Sequence, residues 1–576
     1  MSRNSRRNHG HSVPHHRPPG NAWLVALGLW LLCLLLWLPW LGNLPLRDWD
    51  EAGIAQTALE FARSSDFQQL LPTRWGDPYL NKPPGLHLLM ALAIRASGTA
   101  ETSLRLLPCL LGSLAIPLVF ALQRQLGRPG RGEGVASALI LMTFLPMARH
   151  GRLAMLDGAL VSASLLLWWG LLISRHQHGP GWGLSGLGGS AVLLLKPPAL
   201  LGFLGLGLLL RWIDQRRLTH PGRPLSLRWG GGPSPSPPQG LTCVWLWVGL
   251  LPGLLWHGWH GWQRGAQALV MWGSQGFARL GQALAAGAHD HGWTMPALEV
   301  LEGGWPWLLL LPLGLRLLWR ERRTSAGLWR CGLLTGCLAM VLALKTQLPW
   351  YTHILWAPLA LVLGPALAAL WDSSTAPLHH RPGIGTALRC QGRVLATGLV
   401  TLAVPLLLAA LLQWLGIVAR LPLASLTTAG LSCGGAGLLL LSGRGRMGLT
   451  LMTVGWWLSL LCLWPSQLWI WELNETWSTP ALGLAARQLP TGWPLVAPGI
   501  NRPSLAWYAQ RRLRQAPPLP QLPEQPADRL TGYGLIQAVG TEPPDGCLER
   551  ARTETGAGTQ VFALYSCSLP APRPPA

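Results

Sequence analysis

Leucine-rich runs recur along the first 464 residues at close to the length needed to cross roughly 30 Å of hydrocarbon, as in Ala22–Leu41, Leu241–Trp259 and Tyr351–Leu370. The pattern predicts thirteen spanning helices, over 21–42, 103–122, 134–149, 157–174, 183–195, 199–212, 241–259, 305–319, 329–344, 351–371, 394–414, 422–442 and 447–464. Pro83–Ala96 is expected to be a helix on the outer surface, because a span there would put the loop carrying Arg124, Arg128 and Arg131 on the wrong side. From about Pro465 the apolar runs shorten and Pro and Arg rise, while Leu495–Ala497 and Val561–Tyr565 read as short strands. Residues 465–576 are therefore expected to form a small soluble α/β domain, with Gln515–Ala527 a proline-rich loop. The fold class that follows is a mainly α, polytopic membrane protein with a soluble C-terminal domain.

Composition agrees with a chain whose main solvent is not water. Hydrophobic residues make up 49% of the 576 positions and charged ones 12%, against about a quarter charged in soluble domains. The net charge of +22 sits in short Arg clusters between apolar runs rather than on one basic face, which argues against a nucleic-acid partner. Membrane topology accounts for the clusters better. The tail 1–20, with Arg3, Arg6, Arg7 and Arg17, precedes an apolar stretch longer than a signal-peptide core, so it is kept as a cytoplasmic tail. Inner loops then hold Arg124/Arg128/Arg131, Arg216/Arg217/Arg223/Arg228, Arg320/Arg322/Arg323, Arg381/Arg389/Arg393 and Arg444/Arg446, and Gly230–Gly240 reads as a flexible inner linker.

Of the 23 Asp and Glu residues, only Glu133, Asp214, Glu321 and Asp372 fall in inner loops. Acidic residues have little influence on topology, so their outward clustering points to an outer site. Eight of the ten Cys lie in or near apolar segments without a C-x-x-C pair and read as small core residues. Cys547 and Cys567 can form a disulfide if the tail domain is exported.

After the first span, Asp48, Asp50 and Glu51 put three carboxylates within four residues at the membrane surface. Such groups are costly there unless used or paired. One can take a proton from an acceptor hydroxyl, or hold a divalent cation or sugar hydroxyls. The plain alternative is an N-cap for a helix over Glu51–Ala62. Further along the same loop, Lys82 precedes Pro83 and Pro84; other outer elements carry Arg149, His150, Arg152 and Asp157, then Lys196-Pro197-Pro198, then Lys345 through Tyr351. Each cation alone reads as a snorkelling interface residue. Four separate loops placing Lys or Arg on one side, several beside carboxylates, suit a phosphate or diphosphate on a membrane-embedded carrier instead. His289-Asp290-His291 in the loop 260–304 offers other metal ligands, against the reading of a hydrated loop cluster.

Asp50-Glu51 after the first span, the Lys82-Pro83-Pro84 run, the Arg-x-x-x-x-Asp element at 152–157 and the Lys-x-x-Leu-Pro-x-Tyr run at 345–351 together resemble bacterial relatives of the dolichyl-phosphate-mannose protein mannosyltransferases, especially the aminoarabinose transferases that modify lipid A. The likeness covers roughly residues 20–370 and is weak for the tail. It implies a GT-C fold and inverting transfer from a polyprenyl-phosphate sugar donor to a lipid, glycan or protein acceptor, in the bacterial inner membrane with the site facing the periplasm. It also implies Asp50 as principal catalytic carboxylate with Glu51 beside it, Asp157 as a second acidic residue, and Lys82 and Tyr351 as donor-phosphate contacts. Arg149, Arg152 and Lys345 are further phosphate candidates. One departure stands out: Asn81 replaces the Glu that usually precedes Lys-Pro-Pro and is associated with metal binding, so the metal and the particular substrate stay open. The rival reading is a polyprenyl-phosphate transporter or flippase without chemistry; against it, no internal repeat or matched broken helices are evident. No Gly-x-x-x-x-Gly-Lys-Ser/Thr run occurs that would drive a nucleotide-powered pump.

Overall fold

The computed structural model describes residues 21–64, 70–127, 132–175, 177–219, 239–281, 292–374, 384–466, 468–470, 477–516, 532–553 and 560–568. The basic tail 1–20, Arg128, Arg131, Arg223, Arg228, Arg381, most of the Gly230–Gly240 linker, most of the Gln515–Ala527 loop and His289–His291 lie outside the described residues.

In chain order the helical part comprises α1 (Ala22–Trp37), α2 (Gly53–Arg63), α3 (Gly85–Ser97), α4 (Glu101–Ser113), α5 (Ala115–Leu126), α6 (Glu133–Thr143), α7 (Leu145–His150), α8 (Leu156–Ile173), α9 (His178–Leu195), α10 (Pro197–Thr219), α11 (Gln239–Arg264), α12 (Ala278–Gly281), α13 (Met295–Gly303), α14 (Leu311–Glu321), α15 (Ser325–Leu342), α16 (His353–Ser373), α17 (Ile384–Trp414), α18 (Leu423–Leu441) and α19 (Gly445–Leu463). A two-stranded hairpin, β1 (Thr73–Arg74) and β2 (Asp77–Pro78), sits between α2 and α3. The thirteen apolar segments fall in helical stretches, although 103–122 is divided between α4 and α5 and 134–149 between α6 and α7, and among the described residues eight helical stretches are long and apolar enough to cross a bilayer. The protein is a multi-pass membrane protein. Helix is the natural solution there, because it satisfies every backbone N–H and C=O within the segment.

α8 forms the centre of the bundle: the apolar part of α8 is 89% buried and that of Pro349–Ser373 83%, against 28–39% for α17, α18 and α19. Those last three pack consecutively on one another as a peripheral layer. α9 approaches α8 and α11 through small residues: a Cβ at Gly181 would collide with Ser174, and one at Gly186 with the Leu246 carbonyl. Small residues at helix crossings let backbones touch where lipid gives no hydrophobic drive to pair. Of the cysteines expected in the core, Cys33, Cys109, Cys337 and Cys433 are buried, but Cys331 and Cys390 are exposed.

The C-terminal domain contains α20 (Pro480–Arg487), β3 (Leu495–Val496), α21 (Pro503–Ala509), β4 (Leu513–Arg514), β5 (Gly532–Ala538), β6 (Cys547–Arg552) and β7 (Phe562–Ser568). Its sheet runs β4-β3-β5-β7-β6, with β3 parallel to β4 and β5 and the remaining pairs antiparallel. α20 and α21 cover one face, packing Leu482, Ala486 and Leu505 against Leu495, Ile536 and Leu564. Cys547 and Cys567, register partners on β6 and β7, form a disulfide.

The two ends of α8 are held by different polar clusters. Asp157 lies in its first turn, while Arg175, just past its last, pairs with Asp214, which also accepts from Ser325 Oγ (3.0 Å) and Trp329 Nε1 (3.1 Å). At that second end Arg330, 2% exposed, bridges Glu133 (2.9 Å) and Glu321, joining α6, α14 and α15. Arg330→Ala removes the cation these two carboxylates share and is expected to lower stability by about 3–5 kcal/mol; a drop in the melting temperature of the detergent-solubilised protein is the readout.

Candidate active site

α1 ends before a short π-type turn, Asp48–Ala52, that leads into α2. Neither aspartate there caps a helix through its side chain, so the N-cap alternative does not hold. The three neighbouring carboxylates instead have three environments. Asp48 accepts from Arg502 Nε and from the amide (2.9 Å) and hydroxyl of Ser504 in the C-terminal domain. Glu51, fully buried, receives both arms of Arg105 (2.7 Å each), the Ala154 amide (2.7 Å) and the Arg47 amide (3.0 Å). Burial would raise the Glu51 pKa, but Arg105 and the two amides override it and hold the carboxyl below its usual range. Among the described residues none donates a hydrogen bond to Asp50, which is half-buried.

Four other elements converge on Asp50. Asp157 is buried at the start of α8, where the helix N-terminus favours a carboxylate. Lys196, between α9 and α10, points its Nζ to Asp157 Oδ1 at 3.5 Å and lies over the Tyr351 ring at 4.5 Å from its centroid. Lys82, before Pro83 and Pro84 and α3, is within electrostatic reach of Asp50, Asp157, Lys196 and Arg279 of α12. His150, at the end of α7, acts on Asp50 as a further positive neighbour, and its Nδ1 lies 2.6 Å from Nε2 of His353, the first residue of α16. The close approach of α3 to the end of α9, which brings Lys82 to Lys196, depends on Gly85: a Cβ there would collide with the Leu194 carbonyl.

The charges push one another's proton affinities. Asp50 is raised to about 6, first by burial and then by the Asp157 carboxylate, against the pull of Lys82, Lys196 and His150. Lys82 is lowered to about 8 by burial and the neighbouring Lys196 cation, only partly offset by Asp157 and Asp50. Burial works against the Lys196 cation too, but Asp157 and Tyr351 hold its pKa above the ordinary value. The result is a carboxylate poised near neutrality beside cations crowded closely enough to repel, a ready site for an anion.

The structure gathers some of the predicted site residues and separates others. Asp50, Asp157, Lys82 and Tyr351 come together. Glu51, Arg149 and Arg152 are committed elsewhere: Glu51 to Arg105, Arg149 to Glu299 (3.2 Å) and Glu302 (3.6 Å) of α13, and Arg152 to the carbonyls of Trp37 (2.6 Å) and Pro39 (2.8 Å), stacked against Trp464 and Trp469. All three are fully buried charges that knit helix ends. The Lys345 side chain is exposed, and its contribution runs through its backbone amide, which donates to the Arg279 carbonyl at 3.0 Å. Sequence reasoning missed Arg105, Arg279 and His353. Arg105 carried a signal, a lone Arg inside an apolar run. For a divalent cation the donor set does not fit: Asn81 offers a neutral amide, and no three His, Cys, Asp or Glu among the described residues converge on one point.

Fold and site together define a multi-pass membrane protein that sets a pair of carboxylates beside a cluster of cations at one end of its bundle. Residues 81–223 match the family of dolichyl-phosphate-mannose-protein mannosyltransferases. The chain is 27% identical over 364 residues to an undecaprenyl phosphate-alpha-4-amino-4-deoxy-L-arabinose arabinosyl transferase of Pseudomonas fluorescens, covering 60% of this chain and 58% of the relative. It is 26% identical over 389 residues to the enzyme of that name from Pseudomonas aeruginosa, covering 66% and 63%. The matches thus span somewhat under two thirds of the length of these curated relatives. The crystal structure of ArnT from Cupriavidus metallidurans bound to undecaprenyl phosphate superposes with a TM-score of 0.65 at 15% identity, over 95% of this chain and 98% of that one. The chain thus shares the fold of that ArnT.

Because Glu51 bridges Arg105 and two backbone amides, Glu51→Gln is expected to act on folding: breaking a buried pair costs about 3–5 kcal/mol. The yield of monodisperse protein in size-exclusion chromatography falls for Glu51→Gln and stays at the wild-type level for Asp50→Asn.

Proposed function

We propose that the chain is an inverting glycosyltransferase that moves a sugar from a polyprenyl-phosphate carrier to a lipid, glycan or protein acceptor at the periplasmic face of a bacterial inner membrane. The observation that carries this reading is the meeting of Asp50 and Asp157 with Lys82, Lys196, Arg279 and Tyr351. Carboxylates serve the acceptor, and cations serve the carrier phosphate. The names of the sequence relatives and the solved ArnT support a donor built on undecaprenyl phosphate. Sidedness is supported by the Cys547–Cys567 disulfide, which calls for an oxidising compartment, in a domain bound through Arg502 and Ser504 to the turn that carries Asp50.

In the proposed reaction the acceptor oxygen attacks the anomeric carbon on the face opposite the carrier phosphate. The new oxygen–carbon bond forms as the bond from that carbon to the phosphate oxygen breaks, and the carbon inverts. A hydroxyl acceptor passes its proton to Asp50; an acceptor that is already an anion needs no base, and Asp50 then orients it. The electron pair of the broken bond leaves on the phosphate, where Lys82, Lys196 and Arg279 stabilise the charge. Tyr351 lies under Lys196, and in this reading its hydroxyl donates a hydrogen bond to the phosphate.

Asp50→Asn is expected to insert and fold normally while transfer falls about 10²–10⁴-fold, measured as release of undecaprenyl phosphate from undecaprenyl-phosphate 4-amino-4-deoxy-arabinose in the presence of lipid acceptor; wild-type turnover in that variant would remove Asp50 from the reaction. For a hydroxyl acceptor, kcat/KM is expected to be bell-shaped. It falls below about pH 6 as Asp50 takes up the proton it must be free to accept, and above about pH 8 as Lys82 loses the charge that holds the donor. Flat kcat/KM between pH 5 and 9 would contradict both assignments.

A further inference from the structure

The turn Asp48–Ala52 is anchored from two sides by its own flanking carboxylates. Glu51 is fixed by Arg105 of α4 and the Ala154 amide, both from the helical bundle. Asp48, 4% exposed, is fixed by the start of α21 in the C-terminal domain, through Nε of Arg502, the residue just before the helix, and the amide and hydroxyl of Ser504. The grip on Asp48 is itself braced. Arg502 donates a second arm to the Trp477 carbonyl (3.1 Å) and lies over the Trp477 ring, and the Ser504 hydroxyl is bonded to Thr479 Oγ1 at 2.8 Å. One turn of α21 further on, Tyr508 accepts the Leu46 amide (2.9 Å) and donates to Glu101 of α4 (2.7 Å), catching the chain just before the turn. Asp50 lies between these two anchors.

We propose that the C-terminal domain is a positioning element of the transfer reaction: Arg502, Ser504 and Tyr508 hold the Leu46–Ala52 segment so that Asp50 is aimed at the acceptor and the anomeric carbon. The inference rests on the reading of Asp50 as the reacting carboxylate. Docking alone is served more cheaply by apolar contact, since a buried ion pair returns little net stability for the desolvation it requires. What a buried, multiply hydrogen-bonded carboxylate does supply is a fixed direction, and its direction is passed to Asp50 across a single intervening residue, Trp49. The three positioning residues come from a stretch of seven, Arg502–Tyr508, so the domain reaches the turn through one short helix. The cations proposed to hold the donor lie on other segments, at Lys82, Lys196 and Arg279, so loosening the turn leaves donor binding in place.

The test uses the full-length protein in nanodiscs with undecaprenyl-phosphate 4-amino-4-deoxy-arabinose as donor. For Arg502→Ala, Ser504→Ala and Tyr508→Phe, kcat is expected to fall roughly 10–100-fold with the donor KM within about twofold of wild type, the signature of a misplaced reacting group. Arg502→Lys recovers part of the loss. Amide hydrogen exchange over residues 46–52 is expected to speed up in the Ala variants. Unchanged kcat in any folded variant overturns the proposal, and so does a fall in kcat that merely tracks the loss of folded protein. Should wild-type protein show no transfer, the glycosyltransferase reading fails instead. The exchange measurement still decides the anchoring, because rates over 46–52 that do not change in Arg502→Ala would show that the domain does not hold the turn. If Arg502→Ala does not fold, Tyr508→Phe, which removes one hydroxyl and no charge, carries the same test.

Discussion

The Glu51–Arg105 ion pair is the constraint around which the functional end of the bundle is built. Arg105 directs two arms to Glu51 and its remaining donors to the carbonyls of Leu41 (3.0 Å), Leu44 (2.8 Å) and Pro45 (3.0 Å). The planar fork of a guanidinium suits this: its donors are rigid and reach a carboxylate bidentately while others cap free carbonyls. Glu51 in turn takes the Ala154 amide, so one ion pair ties the exit of α1, the turn with Asp50, α4 and the approach to α8. A group that does so much for the fold has no lone pair to spare for substrate. Its neighbour inherits that task.

Arg152 and Arg149 extend the same logic outward. Arg152 caps carbonyls at and just beyond the end of α1 and stacks on Trp464 and Trp469 past the end of α19, linking the first and last long helices. Arg149 ties α7 to α13 through Glu299. Together with the Arg330 and Asp214 clusters at the other end of α8, they make buried ionic pairs the joints of a bundle whose helix faces are otherwise apolar. In a low-dielectric interior such pairs fix register and direction more than they add stability.

Much of the helical architecture was legible because it follows from solvent: apolar runs long enough to span and a change of character near Pro465. The gathering of carboxylates and cations was legible too, since Asp50, Lys82, Asp157 and Tyr351 carried the family likeness. What the chain could not reveal was the division of labour inside Asp48-Trp49-Asp50-Glu51. Those environments are set by Arg105, Ala154 and Arg502, which lie 54, 103 and 454 residues away from the carboxylates they hold. For the same reason Arg149 and Arg152 read as phosphate ligands. A buried Arg and a phosphate-binding Arg are the same letter until the packing shows which carbonyls or carboxylates surround it. Lys196 was visible as an outer cation, but its place over Tyr351 and beside Asp157 required α9 to end against α3, a contact allowed by the missing side chain at Gly85.

The crowding of Lys82, Lys196 and Arg279 has a consequence for turnover under the proposed reaction. The carrier arrives as a phosphodiester and departs as a monoester, which bears more negative charge near neutral pH. Mutually repelling cations gain most from the more highly charged guest, so the same residues that steady the departing group also grip the spent carrier more firmly than the loaded one. Under that reaction, spent carrier left in the bilayer competes with the loaded donor for the same cations.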